Sequence, residues 1–586
     1  MSSQQAIKPV VSVLFAGLLV CSWWLDQRTG SEGVASDDAR FGFQLVESAA
    51  EHGVSFRHVQ TSLHPSISNV EPHVAALGAA VSVVDVNKDG WPDIYATSSA
   101  FGTPNALFLN QGDGNFRDVA QQAGLADLNR EGEGASMGSI WGDIDNDGDE
   151  DVYVIKWGYA QLLRNDGDLR FTDITADSGL RRWMNSNGAV WFDYDRDGLL
   201  DLYVAGYFPE TFDLWDLSTT KIMHESFEFA LNGGRNVLWR NLGNGRFEDV
   251  TEALGAENTR WTLAVAAADF DGDGWQDLYL ANDYGPEELL LNHGGTGFTI
   301  AEVGLGEDSK SGMAVALGDV RNEGRLDVFV TNISKAGFLF QGNNLRLNLL
   351  HDYELFENVA DGVVADCGWA WGAQFADLDN DGDKDLYVAN GFVSADPDQD
   401  YWYDMSKISG AAGDLFQDTR NWPPIGERSL SGYERSRVLL NQDGQRFIDV
   451  AGAVGVEDRF DGRSVATADL WNRGVRDVIV ANQGGPLLIY RNEVAGEPGW
   501  IGFDLEGTAS NRSAIGAQVT LHWDGKSQAA VIDGGSGFCS QNDRRLHFGL
   551  GEAGAVERAV IRWPSGAEQV LTAPEVGRVH AVREAD

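Results

Sequence analysis

Aspartates recur at fixed spacing in residues 143–151, which read DIDNDGDED. Besides Asp149 at the seventh position, they occupy the first, third, fifth and ninth positions of the stretch, and a glycine occupies the sixth. Carboxylates at these positions, with the backbone carbonyl at the seventh, can surround one hard cation with oxygen ligands, and the glycine permits the turn. Because clustered like charges repel one another, the spacing predicts a calcium site. Magnesium is disfavoured, since a flexible oxygen cage suits the larger ion.

Five copies of this loop are intact, so the sequence predicts about five calcium ions. An EF-hand would also need a glutamate at the twelfth position and flanking helices. Here the twelfth position lies in an apolar alternating run, which excludes an EF-hand, and repetition favours a scaffold over one active site. The predicted metal ligands are Asp85, Asn87, Asp89 and Asp93; Asp143, Asp145, Asp147 and Asp151; Asp193, Asp195, Asp197 and Asp201; Asp269, Asp271, Asp273 and Asp277; and Asp377, Asp379, Asp381 and Asp385.

Two further copies, at 319–329 and 469–479, keep aspartate at the first and ninth positions. Arg321 takes the third position of the first copy, and Trp471 and Arg473 take the third and fifth positions of the second. A cation in either loop would face a fixed positive charge. We therefore expect no calcium in these two loops.

The seven loops belong to a repeat of four short strands. Alternating apolar residues and Gly/Asn turns favour strands over helices. Seven such units predict an all-β fold, a seven-bladed β-propeller with calcium-binding loops; a linear solenoid is the alternative. The last unit lacks its fourth strand, and residues 43–47 can supply it from the other end of the chain, which favours a closed ring.

The repeat also sets the expected domains. Residues 41–494 are expected to form the propeller, and residues 495–586 a small β domain punctuated by glycines. The polar cluster of that domain is expected to fix it against the propeller, and a site for a polar ligand or carbohydrate is the alternative. Its members are Arg512, Ser540, Gln541, Arg545 and His547. Residues 1–40 are expected to hold a signal peptide or membrane anchor and a linker, because Lys8 is followed by a long apolar run.

The leader predicts export, to the periplasm, to the extracellular space or to a membrane-anchored position facing outside. A cleaved signal, an uncleaved anchor and lipidation of Cys21 are all open. The net charge of −46 argues against nucleic acid and anionic membrane surfaces as partners, because both need basic patches. A membrane tether is therefore expected only at the N-terminus. Outside the leader, Cys367 and Cys539 allow one disulfide, although two free thiols are favoured.

Residues 41–494, with these loops, resemble the FG-GAP/VCBS repeat family, calcium-loop propellers also seen in integrin alpha subunits. The segments NRSAIGAQVTLHW (511–523) and VIRWPSGAEQVL (560–571) resemble the ASPIC/UnbV domain. Together these parts are similar to the CRTAC family, the bacterial relatives of cartilage acidic protein. The resemblance implies an exported calcium-binding protein and implies no particular reaction.

A ligand site is expected on the face opposite the calcium loops. Two long insertions, 206–236 and 391–437, rise on that face, and long loops on a rigid scaffold often carry function. The innermost strands begin there, so their first residues are expected to ring the channel mouth. Cations beside aromatics favour an anionic or sugar-like ligand; alternatively, the cations offset carboxylates and the tryptophans pack the core. The candidates are His73, Arg260, Trp261, Lys310, Trp369 and Arg463.

Two functions fit these features. The first is a protein- or glycan-binding module; the alternative is a carbohydrate-active lyase, a dehydratase or a tailoring enzyme that uses the same face. No GxSxG, HExxH or phosphate-loop motif is present, which favours binding and assigns no catalytic residue. His58, His64 and His73 could make a transition-metal site. If these histidines and the candidate cations converge in one deep pocket, the enzyme hypothesis gains; if they scatter, it loses.

Overall fold

Seven four-stranded antiparallel units, the blades, follow one another along residues 43–494, and blades two and three are joined into one eight-stranded sheet by pairing of Trp183–Asn185 with Trp157–Tyr159. We analysed a computed structural model, which describes residues 40–305, 309–408, 410 and 412–585. The first strand is β1 (Phe43–Glu47). Blades one to four contain β2 (Ala80–Val84), β3 (Asp93–Thr97), β4 (Ala106–Asn110) and β5 (Phe116–Asp118); β6 (Gly134–Gly142), β7 (Asp151–Tyr159), β8 (Gln161–Asn165) and β9 (Phe171–Asp173); β10 (Trp183–Phe192), β11 (Asp201–Phe208), β12 (Val237–Asn241) and β13 (Phe247–Asp249); and β14 (Trp261–Ala268), β15 (Asp277–Asp283), β16 (Glu288–Asn292) and β17 (Phe298–Ile300).

Blades five and six each contain an additional short strand pair between their second and third strands. Blade five consists of β18 (Val315–Gly318), β19 (Asp327–Val330), the short hairpin β20 (Ser334–Lys335) and β21 (Leu339–Phe340), β22 (Asn344–Asn348) and β23 (Phe356–Asn358). Blade six consists of β24 (Ala370–Ala376), β25 (Asp385–Asn390), the short pair β26 (Asp396–Asp400) and β27 (Arg428–Ser429), β28 (Arg437–Gln442) and β29 (Arg446–Asp449), and blade seven of β30 (Gly462–Ala468), β31 (Asp477–Asn482) and β32 (Leu488–Val494).

Helices are short and lie in the connections. None of the helices in the described ranges is long and apolar enough to cross a membrane. The predicted leader falls almost wholly outside those ranges. The α-helices are α1 (Glu71–Val74), α2 (Ala120–Ala123), α3 (Thr175–Ser178), α4 (Thr251–Leu254), α5 (Leu350–Tyr353), α6 (Gly362–Ala365), α7 (Trp402–Ser406) and α8 (Asp414–Gln417), and 3₁₀ turns cover Pro65–Ile67 and Thr419–Asn421.

Strand β1 closes the ring. It pairs antiparallel with β32, from Phe43 opposite Val494 to Glu47 opposite Tyr490. Blade seven therefore has the order β1-β32-β31-β30, with its outermost strand taken from the beginning of the repeat region. This confirms the predicted fold class, an all-β seven-bladed propeller with a C-terminal β domain, and the predicted origin of the missing strand.

The innermost strands are buried and rich in small residues. Strand β14, for example, reads WTLAVAAA, and each of its residues is buried. Small side chains let seven strands approach one another around a common axis at the density of a protein core. Each innermost strand then turns into an acidic loop, so the repeat places seven loops on one face of the ring.

A set of asparagines links neighbouring blades. The side-chain amide at or near the end of each third strand donates to a loop carbonyl of the preceding blade, as from Asn110 Nδ2 of blade one to Leu470 O of blade seven at 2.8 Å. The same bond occurs in all seven blades, so it runs once around the ring. The donors are Asn110, Asn165, Asn241, Asn292, Asn348, Asn441 and Asn492.

The C-terminal β domain packs against the face that carries the acidic loops. Its sheets have the orders β36-β33-β39 and β35-β34-β37-β38. The Arg512 N–H donates to Asn146 Oδ1 at 2.8 Å, and His547 Nε2 lies 2.7 Å from Asn380 Oδ1. Arg512 and His547 therefore take part in docking. The strands are β33 (Gly499–Glu506), β34 (Gln518–Trp523), β35 (Lys526–Val531), β36 (Leu546–Gly551), β37 (Arg558–Arg562), β38 (Glu568–Thr572) and β39 (Val579–Arg583).

A loop of this domain, residues 533–543, enters the channel from the acidic-loop face. The Gln541 side chain accepts from the Trp141 N–H at 2.6 Å and donates to the Trp141 carbonyl at 2.9 Å. The Phe538 and Trp371 rings lie 5.3 Å apart near the channel centre. This end of the channel is therefore filled by protein.

The two insertions cover the opposite end. They reach across from blades three and six and meet: the Gly413 N–H donates to Glu225 O at 2.7 Å, and the Thr419 N–H to Thr220 O at 2.9 Å. Beneath them residues 71–78, the channel segment, run inward before β2 begins. The open channel mouth expected from the sequence is therefore closed by the insertions that were expected to surround it.

Candidate functional site

Each acidic loop is shaped by hydrogen bonds from its own backbone. In blade two, Asp143 accepts from the Asp147 N–H at 3.1 Å and from the Gly148 N–H at 2.6 Å. Asp151 accepts from the Ile144 N–H at 3.0 Å. Gly148 has φ of 96°, a left-handed conformation that glycine adopts without strain. The backbone of the loop therefore curls around its carboxylates.

Four loops bring three aspartates close enough to share one ion, with their ligand atoms within 4.8 Å of one another. In three of these loops a carboxylate oxygen, the Oδ1 of Asp145, Asp195 or Asp377, is buried without a hydrogen-bond partner. A bare buried carboxylate oxygen requires positive charge. These loops can therefore hold a hard cation. The clusters are Asp143, Asp145 and Asp151; Asp193, Asp195 and Asp197; Asp269, Asp271 and Asp273; and Asp377, Asp379 and Asp385.

The loop of blade one has an amide where the other four have a carboxylate. Its third position is Asn87, whose amide donates to Asp89 Oδ2 at 2.9 Å. Asp85 accepts from the Gly90 N–H at 2.8 Å, as the first aspartate does in blade two. The structure thus places the predicted ligands of this loop on the same turn, with one carboxylate fewer.

Burial raises the pKa values of the loop carboxyls. It raises the pKa of Asp143 to about 7 and that of Asp151 to about 9. Burial, followed by the negative charge of Asp381, raises the pKa of Asp379 to about 8. Ionised carboxylates in these loops are therefore costly without a compensating charge, and a cation supplies it.

The two substituted loops satisfy their carboxylates in other ways. In blade seven the Arg473 guanidinium donates to Asp477 Oδ1 at 2.8 Å. In blade five Asp319 Oδ2 accepts from the Ala529 N–H of the C-terminal domain at 2.9 Å. Protein donors therefore contact carboxylates in both substituted loops, and the absence of calcium from these loops stays a prediction.

The candidate cations on the insertion face do not converge. Arg260 pairs with Glu288 at 2.7 Å, and Lys310 pairs with Glu228 at 3.1 Å. Arg463 is fully buried and donates to a carbonyl of the channel segment at 2.7 Å. Two of the cations thus offset carboxylates, and the third holds the segment that fills the channel.

The three histidines before the first loop do not form one site. His58 bonds Ser99 Oγ at 3.0 Å, and His64 caps a 3₁₀ turn by accepting from the Ser66 N–H at 3.3 Å. His73 lies apart from both, against the aromatic rings under the insertions. Among the described residues no group of three potential metal ligands includes any of these histidines.

Three candidates, His73, Trp261 and Trp369, do meet in a cavity of about 30 Å³ beneath the insertions. All three are at least nine-tenths buried. The cavity walls also include His224 and Tyr284, whose ring centroids lie 3.3 Å apart in a stack. The sequence did not point to His224, because it lies within an insertion and its place in the cavity depends on contacts between distant loops.

A larger groove lies on the insertion face and was not anticipated. Its volume is about 470 Å³, and Phe227, Phe338 and Trp402 form part of its walls. The Phe338 and Trp402 rings are 5.7 Å apart, and the indole N–H of Trp402 is buried without a hydrogen-bond partner. Large apolar side chains from the same three loops are exposed. They are Phe229, Leu231, Phe338, Phe340, Tyr403 and Leu415.

Known proteins resemble this chain in both of its parts. The FG-GAP-like repeat model matches residues 85–154, 143–204, 229–280 and 269–330, and the ASPIC and UnbV model matches residues 507–586. Cartilage acidic protein 1 of Mus musculus is 23% identical over 537 residues, covering 87% of this chain and 74% of its own length. The Homo sapiens protein of the same name is 23% identical over 543 residues, covering 89% and 74%.

One solved structure aligns with part of this chain at low similarity. An Agrocybe aegerita lectin, described as recognising non-reducing terminal N-acetylglucosamine, aligns with 65% of this chain and 84% of its own at 16% identity and a TM-score of 0.36. That similarity supports no inference about a ligand. The repeat loops, the ring and the C-terminal domain are the features that place the protein: it belongs to the FG-GAP repeat proteins that carry an ASPIC/UnbV domain, and it is related to cartilage acidic protein 1.

Proposed function

We propose that the protein is an exported, calcium-stabilised β-propeller that binds a partner protein through its insertion face. Calcium has a structural role in this proposal. Its loops lie under the C-terminal domain, as when the Asp143 N–H donates to Ser513 Oγ at 2.9 Å. The ions would therefore stiffen the propeller and the surface on which the C-terminal domain packs. The opposite face would then be free to bind the partner.

The observation that carries the proposal is the groove and its exposed apolar rim. Ligand pockets commonly measure about 300–1,000 Å³, and the groove falls within that range. Phe340 is 65% exposed and Leu415 is 59% exposed, beside the aromatic walls. Contiguous exposed apolar side chains mark interaction sites on a soluble surface. Aliphatic and phenyl groups suit a protein partner better than a glycan, whose hydroxyls need polar partners.

The enzyme alternative receives no support from the same face. Arg260 and Lys310 are neutralised by glutamates, and Arg463 is held by backbone carbonyls. The candidate cations and the three histidines that would carry lyase or dehydratase chemistry do not meet in one deep pocket, which was the condition for favouring an enzyme. Binding is therefore the function that we propose.

The proposal can be tested by site-specific photo-crosslinking of the full chain in the cells that produce it. A photo-reactive phenylalanine at position 340 should yield a defined protein adduct, and the same group at Val570, an exposed position of the C-terminal domain, should not. Phe338→Ser should reduce the adduct at position 340 at least fivefold. A glycan array probed with the same chain tests the other partner class: binding there that Phe338→Ser abolishes, with no protein adduct, would overturn the protein-partner proposal.

A further inference from the structure

The cavity beneath the insertions contains an unusual set of soft and nitrogen donors. Its walls include His73, His224, Met223, Met313 and Met405. The chain has only six methionines, so half of them line this one small space. Its volume, about 30 Å³, is that of a single water molecule or one ion.

The tautomer of His224 is fixed by its backbone. Its Nδ1 lies 2.9 Å from Ser226 O, and a carbonyl can only accept, so Nδ1 carries the proton. Nε2 of the neutral ring therefore presents a lone pair. That atom is buried and has no hydrogen-bond partner, in a side chain that is 1% exposed. Metal-binding histidines are commonly oriented in this way, with the second ring nitrogen donating to a carbonyl.

His73 offers a second unpartnered nitrogen. Its Nδ1 is buried without a hydrogen bond, and the side chain is 8% exposed. The two imidazoles share a neighbour, because the Trp422 ring lies 5.7 Å from that of His73 and 6.2 Å from that of His224.

The remaining walls decide which ion suits the cavity. Asp283 is the only carboxylate among the lining residues, and it already accepts from the Tyr207 hydroxyl at 2.8 Å. Apart from Tyr207 and Tyr284, the rest of the wall consists of aliphatic and aromatic side chains, Trp261 and Trp371 among them. Hard cations need several oxygen ligands, whereas imidazole and thioether together favour monovalent copper.

We propose that this cavity binds one Cu(I) ion, with His73 Nδ1, His224 Nε2 and a methionine thioether as ligands. The site is separate from the acidic loops and adjoins the groove, with which it shares Phe227 and Met405. Binding of Cu(I) can be measured without any partner, so its test is independent of the partner proposed above. The aromatic walls and the covering insertions would shield the ion from water and from oxidation. An exported protein built in this way could carry or sequester copper.

The test uses the full chain saturated with Ca²⁺, so that the acidic loops are occupied, and Cu(I) supplied anaerobically as its acetonitrile complex. Competition with a chromophoric Cu(I) chelator should give one tight site per chain, and X-ray absorption should show both nitrogen and sulfur ligands. Zn²⁺ at the same concentration should not displace the copper. Failure to bind Cu(I), or equal binding of Zn²⁺, would overturn the proposal.

Variants locate the site. His224→Gln should weaken Cu(I) binding at least tenfold, and the matched change at the exposed His351 should leave it unaltered. Met223→Leu, Met313→Leu and Met405→Leu keep apolar volume and folding, and one of the three should remove the sulfur signal. Unchanged copper spectra in all three, or a crystal structure of the copper-treated protein with only a water between the imidazoles, would contradict the assignment.

Discussion

The aspartates of the acidic loops have two separable roles. The ninth-position aspartate accepts from a loop N–H through one oxygen and from a third-strand N–H through the other, as Asp93 does from Val86 at 3.0 Å and from Asn110 at 2.7 Å. The same pair of bonds occurs in all seven blades, including the two whose loops carry arginine. This residue is therefore a structural link first, which explains why it persists where cation binding is not expected.

The buried histidine His58 gives a prediction about the stability of the protein at acidic pH. His58 is 2% exposed; its Nδ1 accepts from the Gly484 N–H at 3.1 Å, so Nε2 donates to Ser99. Burial, with the charge of Arg463, lowers its pKa from 6.5 to about 3. The unfolded chain therefore binds the proton more readily below pH 6.5, and stability is lost as the pH falls from about 6.5 towards 3.

At pH 5 this one histidine should cost about 2 kcal/mol of unfolding free energy relative to pH 7.5. Urea unfolding with saturating Ca²⁺ at both pH values measures the difference. The His58→Gln variant should lose that share of the pH dependence, and His351→Gln should keep it. Equal pH dependence in all three proteins would show that His58 is not the titrating group.

At the scale of elements, the repeat and the positions of the insertions were predictable, and the contacts between the insertions were not. Strand and loop positions follow from a local pattern that recurs seven times, and ring closure follows from one missing strand. The insertions have no such pattern. The Gly413 N–H donates to Glu225 O from the far side of the ring, and no feature of either local sequence predicts this hydrogen bond. For the same reason the sequence indicated His73 and Trp261 but could not show that they are covered.

The closing strand gives an element-scale prediction. Leu45 of β1 is 1% exposed and its neighbour Val46 is 46% exposed. Leu45→Ala should lower the unfolding free energy by about 2–5 kcal/mol, because it removes buried methyl groups and leaves a cavity. Val46→Ala should change it by less than about 0.5 kcal/mol. Hydrogen exchange should also rise in β32 with the first variant; protection there equal to that of Val46→Ala would contradict the role of β1 in closure.

At the scale of the whole molecule, the acidic loops join the ring to the C-terminal domain. Loops of blades two and six contact it through Asn146 and Asn380, and the loop of blade five through Asp319. A change in cation occupancy should therefore change the stability of both domains together. The large negative charge adds to this, since each bound divalent ion reduces the self-repulsion of the chain.

Removal of calcium should accordingly lower the melting temperature of the whole protein. A site occupied at a free concentration of 100 times its Kd contributes about 2.7 kcal/mol. Calorimetric titration of the chelated chain should count about five ions, and scanning calorimetry should show a transition that rises with Ca²⁺. Seven ions would contradict the reading of the Arg321 and Arg473 loops, four would remove the Asn87 loop from the set, and an unchanged melting temperature would refute the stabilising role.

The pairing of β1 with β32 also fixes the order in which the fold can be completed. Its two strands are separated by about 450 residues, so the strand made first has no partner until the last blade has been made. Contacts of such long range are slow to form, and an incomplete ring keeps an open strand edge that invites association with other chains. Ring closure is therefore a late step of folding. A chain truncated before blade seven retains six blades and lacks the strand against which Phe43 and Leu45 are buried.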